Sequence, residues 1–206
     1  MPTTTVVSQE LITEQPTLIA GGNGQGNLPN QINTPVGMAM LPDGLAVASS
    51  DGHAVLRFQP TSSSSPYLAT SAPVAGIVGS EGTALDHLAR PSFIAANANG
   101  DLYIADSNNH RVVLWPRGAM SGTVAAQIPG RPVGVAITDT GVLFVTDIAN
   151  HTLLRITSPT DPGTVIAGNR GAGKQLNQLS NPRNVRLQAG YCHLQQQLVK
   201  TMLLAA

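Results

Sequence analysis

The sequence predicts an all-β protein of repeated four-stranded sheets, an incomplete β-propeller. Three observations predict it. The 206-residue chain holds 21 Gly and 15 Pro but only 11% charged residues, a turn-rich composition that suits short strands better than helices. Its apolar runs are short, and nearly continuous rather than strictly alternating, as expected of strands covered on both faces. One pattern also occurs three times: a Pro, an apolar strand, a tight turn with Gly nine residues after the Pro, a second apolar strand, a polar turn containing His, and a third apolar strand.

In chain order, residues 1–17 read as an N-terminal tail and residues 18–188 as the repeat array. The first copy is PVGMAMLPDGLAVASSDGHAVLRF, the second PSFIAANANGDLYIADSNNHRVVLW and the third PVGVAITDTGVLFVTDIANHTLLRI, beginning at Pro35, Pro91 and Pro132. Gly44, Gly100 and Gly141 close the first turn of each, where a positive φ is cheap only for Gly. A second piece precedes each copy: a short apolar strand followed by a Gly-rich loop. It reads LIAGGNGQGNLPNQINTP over 18–35 and VAGIVGSEGTALDHLARP over 74–91, shrinks to TVAAQIPGRP before Pro132, and returns as VIAGNRGAGKQLNQLSNP over 165–182. The units fall near 35–78, 91–127 and 132–167, with a partial one from 182. About three full four-stranded blades are expected, each stable only when stacked on its neighbours. The Ser/Pro-rich piece 59–73 reads as a flexible surface loop inside the first unit. Residues 189–206 read as an atypical C-terminal tail without the expected second strand. There Leu194, Leu198 and Met202, four apart, predict a short helix.

Composition narrows the function. Eleven basic and eleven acidic residues cancel, and nucleic-acid binding by phosphate contacts calls for a basic excess or stripe. Arg170, Lys174, Arg183 and Arg186 form the one local basic cluster, and no aromatic residues interleave it for base stacking. The single cysteine, Cys192, excludes an intrachain disulfide and argues against a Cys-based zinc site. The N-terminus shows no signal-peptide pattern and no run approaches 18 apolar residues, so a cytoplasmic protein without a membrane span is the default expectation.

The polar turns hold the candidate site residues. His53, His110 and His151 occupy equivalent places, and Asp106 and Asp147 end the second strands. Three imidazoles and two carboxylates suit a metal centre if they converge. Equivalent positions in a repeat array spread over successive blades, however, and a local role is simpler. The Asp accepts backbone N–H groups of its turn, and the His ties that turn to a neighbouring strand. On that reading Asp106, Asn109, His110, Arg111, Asp147, Asn150 and His151 are structural, with no catalytic residue and no cofactor. Gly168–Lys174 fits the spacing of a phosphate-binding loop, but Gln175 follows where Ser or Thr would hold magnesium, and no helix pattern comes after it. No Ser lies in a G-x-S-x-G elbow.

The wording of these turns resembles the NHL-repeat family, named for Asn-His-Leu. The signature stands here as Asn109-His110-Arg111-Val112 and Asn150-His151-Thr152-Leu153, and departs to Gly52-His53-Ala54-Val55 in the first copy. The resemblance implies propeller blades, usually six to a ring. It also implies functions that range from protein- and RNA-binding platforms to metal-dependent peptide-amidating lyases, with sugar-lactone hydrolases as structural relatives. The reading preferred from sequence is a non-enzymatic scaffold for an unidentified protein partner, with self-association through open blade edges. The alternatives are a fragment or degenerate form of a propeller enzyme, a metal-dependent lyase or lactone hydrolase, and an RNA-binding domain of the same family.

Overall fold

The computed structural model describes residues 20–28, 31–59, 72–168, 170–173, 175, 178–188, 191–196 and 202–205. Among them there is no α-helix; fifteen strands form four antiparallel sheets, each a meander in chain order. The first sheet is β1 (Pro35–Leu41), β2 (Gly44–Ser49), β3 (Ala54–Phe58) and β4 (Ala72–Ala75). The second is β5 (Pro91–Ala96), β6 (Leu102–Asp106), β7 (Arg111–Trp115) and β8 (Thr123–Gln127), with a 3₁₀ turn at Ser107–Asn109. The third is β9 (Pro132–Ile137), β10 (Leu143–Asp147), β11 (Thr152–Ile156) and β12 (Thr164–Ala167). The fourth holds three strands, β13 (Pro182–Gln188), β14 (Tyr191–Gln196) and β15 (Met202–Ala205). The first strands pack side by side, β1 on β5, β5 on β9 and β9 on β13, so they form the inner edge of a curved stack.

Among the described residues of the tail assigned to 189–206 there are two strands, β14 and β15, where a helix is expected; Leu198 lies outside the described residues. A spacing of four residues satisfies the two-residue period of a strand as well as the 3.6-residue period of a helix. Pairing with β13 decides between them, with Gln188 opposite Tyr191 and Val185 opposite Leu194. The second strand of that unit therefore exists, and Gln196 holds the register place opposite Pro182 that Asp106 and Asp147 hold opposite Pro91 and Pro132. The leading strand expected from residue 18 and most of the Ser/Pro-rich piece lie outside the described residues, although that piece does separate β3 from β4.

Successive sheets share apolar cores. Ala46, Ala48 and Val55 of the first sheet meet Leu102, Ile104 and Trp115 of the second. Ala105, Val112 and Ala126 of the second meet Leu143, Val145 and Leu154 of the third. Phe144 and Leu153 of the third meet Val185 and Cys192 of the fourth. Each second strand thus sends alternate side chains to two different cores, the physical reason its sequence is a continuous apolar run. Leu102, Ile104, Leu143 and Val145 are each at most 4% exposed, and each such side chain contributes about 1.5–3 kcal/mol through burial. Gly37 and Gly134 permit the close approach of inner strands. A Cβ on Gly37 would lie 2.6 Å from Phe93 Cα, and one on Gly134 would lie 2.2 Å from the Arg183 carbonyl oxygen.

Candidate functional site

The candidate site residues lie in the turns that link the second and third strands. Asp106 ends β6 fully buried. One carboxylate oxygen accepts the Ala89 N–H at 2.6 Å, ahead of β5. The other accepts Asn109 Nδ2 and Arg111 Nε, both at 2.8 Å. The guanidinium then reaches out of the turn, with Nη1 donating to the Thr83 carbonyl at 2.7 Å and Nη2 to those of Ala84 and His87 at 3.2 and 3.3 Å. Asn109 Nδ2 also donates to the Gly82 carbonyl at 2.8 Å. This turn therefore clamps the long loop that precedes its own sheet. The buried carboxylate and the loop carbonyls both find donors there.

The third sheet repeats the carboxylate and drops the clamp. Asp147 Oδ1 accepts the N–H groups of Arg131, Ala149 and Asn150 at 2.9, 3.1 and 3.2 Å, while Oδ2 accepts Asn150 Nδ2 at 2.7 Å. Thr152 stands in the register place of Arg111, opposite the terminal Asp. The sequence explains the difference: the loop before Pro132 has been cut to a few residues, so no lobe remains for a guanidinium to hold. In the first sheet Ser49 takes the carboxylate's place, opposite Pro35, and its hydroxyl accepts the Asn33 N–H at 2.9 Å. Sequence reading missed Ser49, since a hydroxyl in place of a carboxylate leaves no charge pattern to find.

The three histidines share a left-handed backbone, with φ of 55°, 55° and 57°, and each reaches the next sheet. His53 Nδ1 accepts the Arg90 N–H at 3.3 Å, and His151 Nδ1 accepts the Asn181 N–H at 3.2 Å. Arg90 and Asn181 immediately precede Pro91 and Pro182 and are themselves at positive φ, 51° and 47°. Where the loop is short, His110 instead donates from Nδ1 to the Gly130 carbonyl, so its tautomer is the reverse of the other two. Ser107 and Thr146 add two ties, donating to the Pro132 carbonyl at 2.6 Å and to the Arg183 carbonyl at 2.8 Å.

The fold distributes the imidazoles over three successive sheets. Among the described residues no three His, Cys, Asp or Glu side chains lie together as a metal-holding group. The inner edge of the stack forms a cleft of about 370 Å³, where Val36, Met38, Phe93 and Ile137 make an apolar wall and Arg186 supplies the one charge in its lining. Of the basic cluster, Arg170, Arg183 and Arg186 are exposed, and Lys174 lies outside the described residues. The Gly168–Gly173 loop folds onto its own continuation, the Gly173 N–H donating to the Leu179 carbonyl at 3.2 Å.

A second polar cluster escaped the sequence. At the other end of the sheets, Asp43 accepts Arg57 Nη1 at 2.7 Å and Arg117 Nη2 at 3.1 Å in a cleft of about 230 Å³ beside Trp115. Burial pushes the Asp43 carboxyl up, but the Arg117 hydrogen bond and the two guanidinium charges prevail and hold it below the usual range. Asp43 and Arg117 are 74 residues apart, so no local motif announces them.

The sequence pattern that defines the NHL repeat matches residues 88–113, the stretch that runs from the Asp106-capped lead-in through the Arg111 clamp. Residues 88–113 carry an NHL repeat. A mouse protein (Mus musculus), NHL-repeat-containing protein 4, is 32% identical over 77 residues, covering 36% of this chain and 55% of that protein. Virginiamycin B lyase from Staphylococcus aureus superposes with a TM-score of 0.53 at 14% identity, covering 84% of this chain and 56% of the lyase. A protein of unknown function from Bacteroides thetaiotaomicron gives 0.60 at 13% identity, covering 82% and 46%. The computationally designed protein Ika4 gives 0.55 at 6% identity, covering 93% and 99%. At these identities the structural likeness establishes the propeller-like fold. The chain spans about half the length of the natural relatives it matches.

Proposed function

We propose that this NHL-repeat chain is a non-enzymatic scaffold that presents its inter-sheet loops to a protein partner. The observation that carries the reading is how the polar turns are used. Asp106, Asp147, His53, His110 and His151 each have a hydrogen-bond partner in the backbone of their own or the next sheet, and Asp106 a guanidinium as well. They act as ties that fix the stack. The parts that vary between copies are the loops at 21–34, 76–90 and 168–181, and loops on a rigid frame are the usual seat of recognition. The chemistry of the turns favours structure over catalysis because a general base or metal ligand needs a lone pair facing substrate.

The propeller-enzyme reading is supported by the likeness to virginiamycin B lyase, which is one of fold. One experiment separates the two. The purified chain is dialysed against zinc, copper and magnesium in turn, the retained metal is measured, and displayed peptides are selected on the same preparation. The scaffold reading expects no stoichiometric metal, and peptide binders whose protection in hydrogen exchange maps to the Gly-rich loops. Stoichiometric metal that is lost in His110→Ala, with no loop-directed binder, contradicts it. RNA binding predicts an affinity that falls steeply with salt, and a salt-independent or absent signal removes that reading.

A further inference from the structure

The four inner strands carry two sets of equivalent positions. Through one common register, Met38, Ile94, Val135 and Val185 correspond, and so do Met40, Ala96, Ile137 and Leu187. Ile94, Val135 and Val185 are 6%, 3% and 3% exposed, each in the core shared with the preceding sheet. Ala96, Ile137 and Leu187 pack against those same cores. Met38 and Met40 are 70% and 67% exposed. Both sit on the leading face of the first sheet, the face that in every later sheet is covered by the sheet before it. On the outer part of that face Leu45, Val47 and Leu56 are covered by Ala20, Ile32 and Val78. Among the described residues nothing covers the inner strip. Leu28, 69% exposed, rims a groove of about 170 Å³ on the same side, beside Leu56 and Val78.

The opposite end of the stack has different chemistry. The trailing position that is Ala39 in the first sheet becomes Arg186 in the fourth. Arg186 is exposed. A head-to-tail stack of copies would press that guanidinium against Met38 and Met40 on a strand with no carboxylate, and a charge buried without a partner is strongly unfavourable. The neutral leading face fits another neutral apolar face, and flexible thioethers repack readily against each other. A face that matches itself closes a twofold dimer and stops there, whereas a head-to-tail contact would propagate. We propose that two copies of this chain pair symmetrically through the leading face of the first sheet, with Met38 and Met40 at the centre.

The test uses the full chain. Light scattering on a size-exclusion column should give twice 21.3 kDa and no larger species, with dissociation on dilution. Met38→Glu with Met40→Glu should run as a monomer with unchanged far-ultraviolet circular dichroism. Under mild oxidant, Met38→Cys should give a single disulfide-linked dimer. Wild type should give none, since Cys192 is buried and its thiol is pushed up to about 11. A wild type that stays monomeric at every concentration overturns the proposal. So does a glutamate variant that remains dimeric, and so does preferential crosslinking between Met38→Cys and Arg186→Cys chains when the two are mixed. If the glutamate variant fails to fold, the cysteine crosslink decides alone.

Discussion

Arg111 has one carboxylate partner and three carbonyl partners, and it is almost wholly buried. Removing such a group leaves Asp106 uncompensated in the interior. Arg111→Met should therefore lower unfolding stability by about 3–5 kcal/mol, read from urea midpoints. Arg155→Met removes a guanidinium from an exposed site on β11 and should stay within about 0.5 kcal/mol. The spacing of Asp106, Asn109, His110 and Arg111 was legible in the sequence because all four belong to one turn. What they hold was not, since Thr83, Ala84 and His87 offer only backbone carbonyls, and every residue has one. The Asp43–Arg57–Arg117 cluster was invisible for a related reason: Arg117 joins the Asp43–Arg57 pair of the first sheet only after the second sheet has stacked on it.

Between elements, small residues on one sheet receive large ones from the next. Ala46 and Ala48 face Leu102 and Ile104, and both alanines are fully buried. Ala48→Leu should overpack that core and cost about 1–3 kcal/mol in a thermal or urea melt. The glycines should separate by mechanism. Gly134→Ala would set a Cβ 2.2 Å from the Arg183 carbonyl oxygen and must push β9 away from β13. Gly141→Ala meets nothing within 4 Å, and its φ of +85° alone should cost about 1–2 kcal/mol. Comparing these two melts tests whether the contact of inner strands is as tight as described, with Gly134→Ala expected to be the more damaging. Strand order and the sheet repeat were readable because Pro and Gly punctuate each unit at fixed offsets. The tail after Gln188 was misread as a helix because its apolar spacing fits both periods, and only the partner strand β13 breaks the tie.

Across the whole molecule, half-buried carboxylates depressed by local donors shape the acid response. The Thr34 hydroxyl bonded to Asp51, the Arg117 N–H bonded to Asp101 and the Thr157 hydroxyl bonded to Asp161 are the leading causes that hold each carboxyl below its ordinary 3.8. Folding thus favours their ionised form. The stability they add is complete above about pH 5 and drains away as the pH falls below it, because the unfolded chain then binds more protons. Urea midpoints should be level from pH 7 to 5 and drop between 4 and 3. The central claim is that the polar turns are ties within and between sheets. A double-mutant cycle on Asp106 and Arg111, measured by equilibrium unfolding with and without added zinc, tests it most directly. Asp106→Asn, Arg111→Met and the double variant should each destabilise the chain, with a coupling of about 0.5–3 kcal/mol that zinc leaves unchanged. Variants as stable as wild type, in which only wild type is stabilised by zinc, would contradict the account.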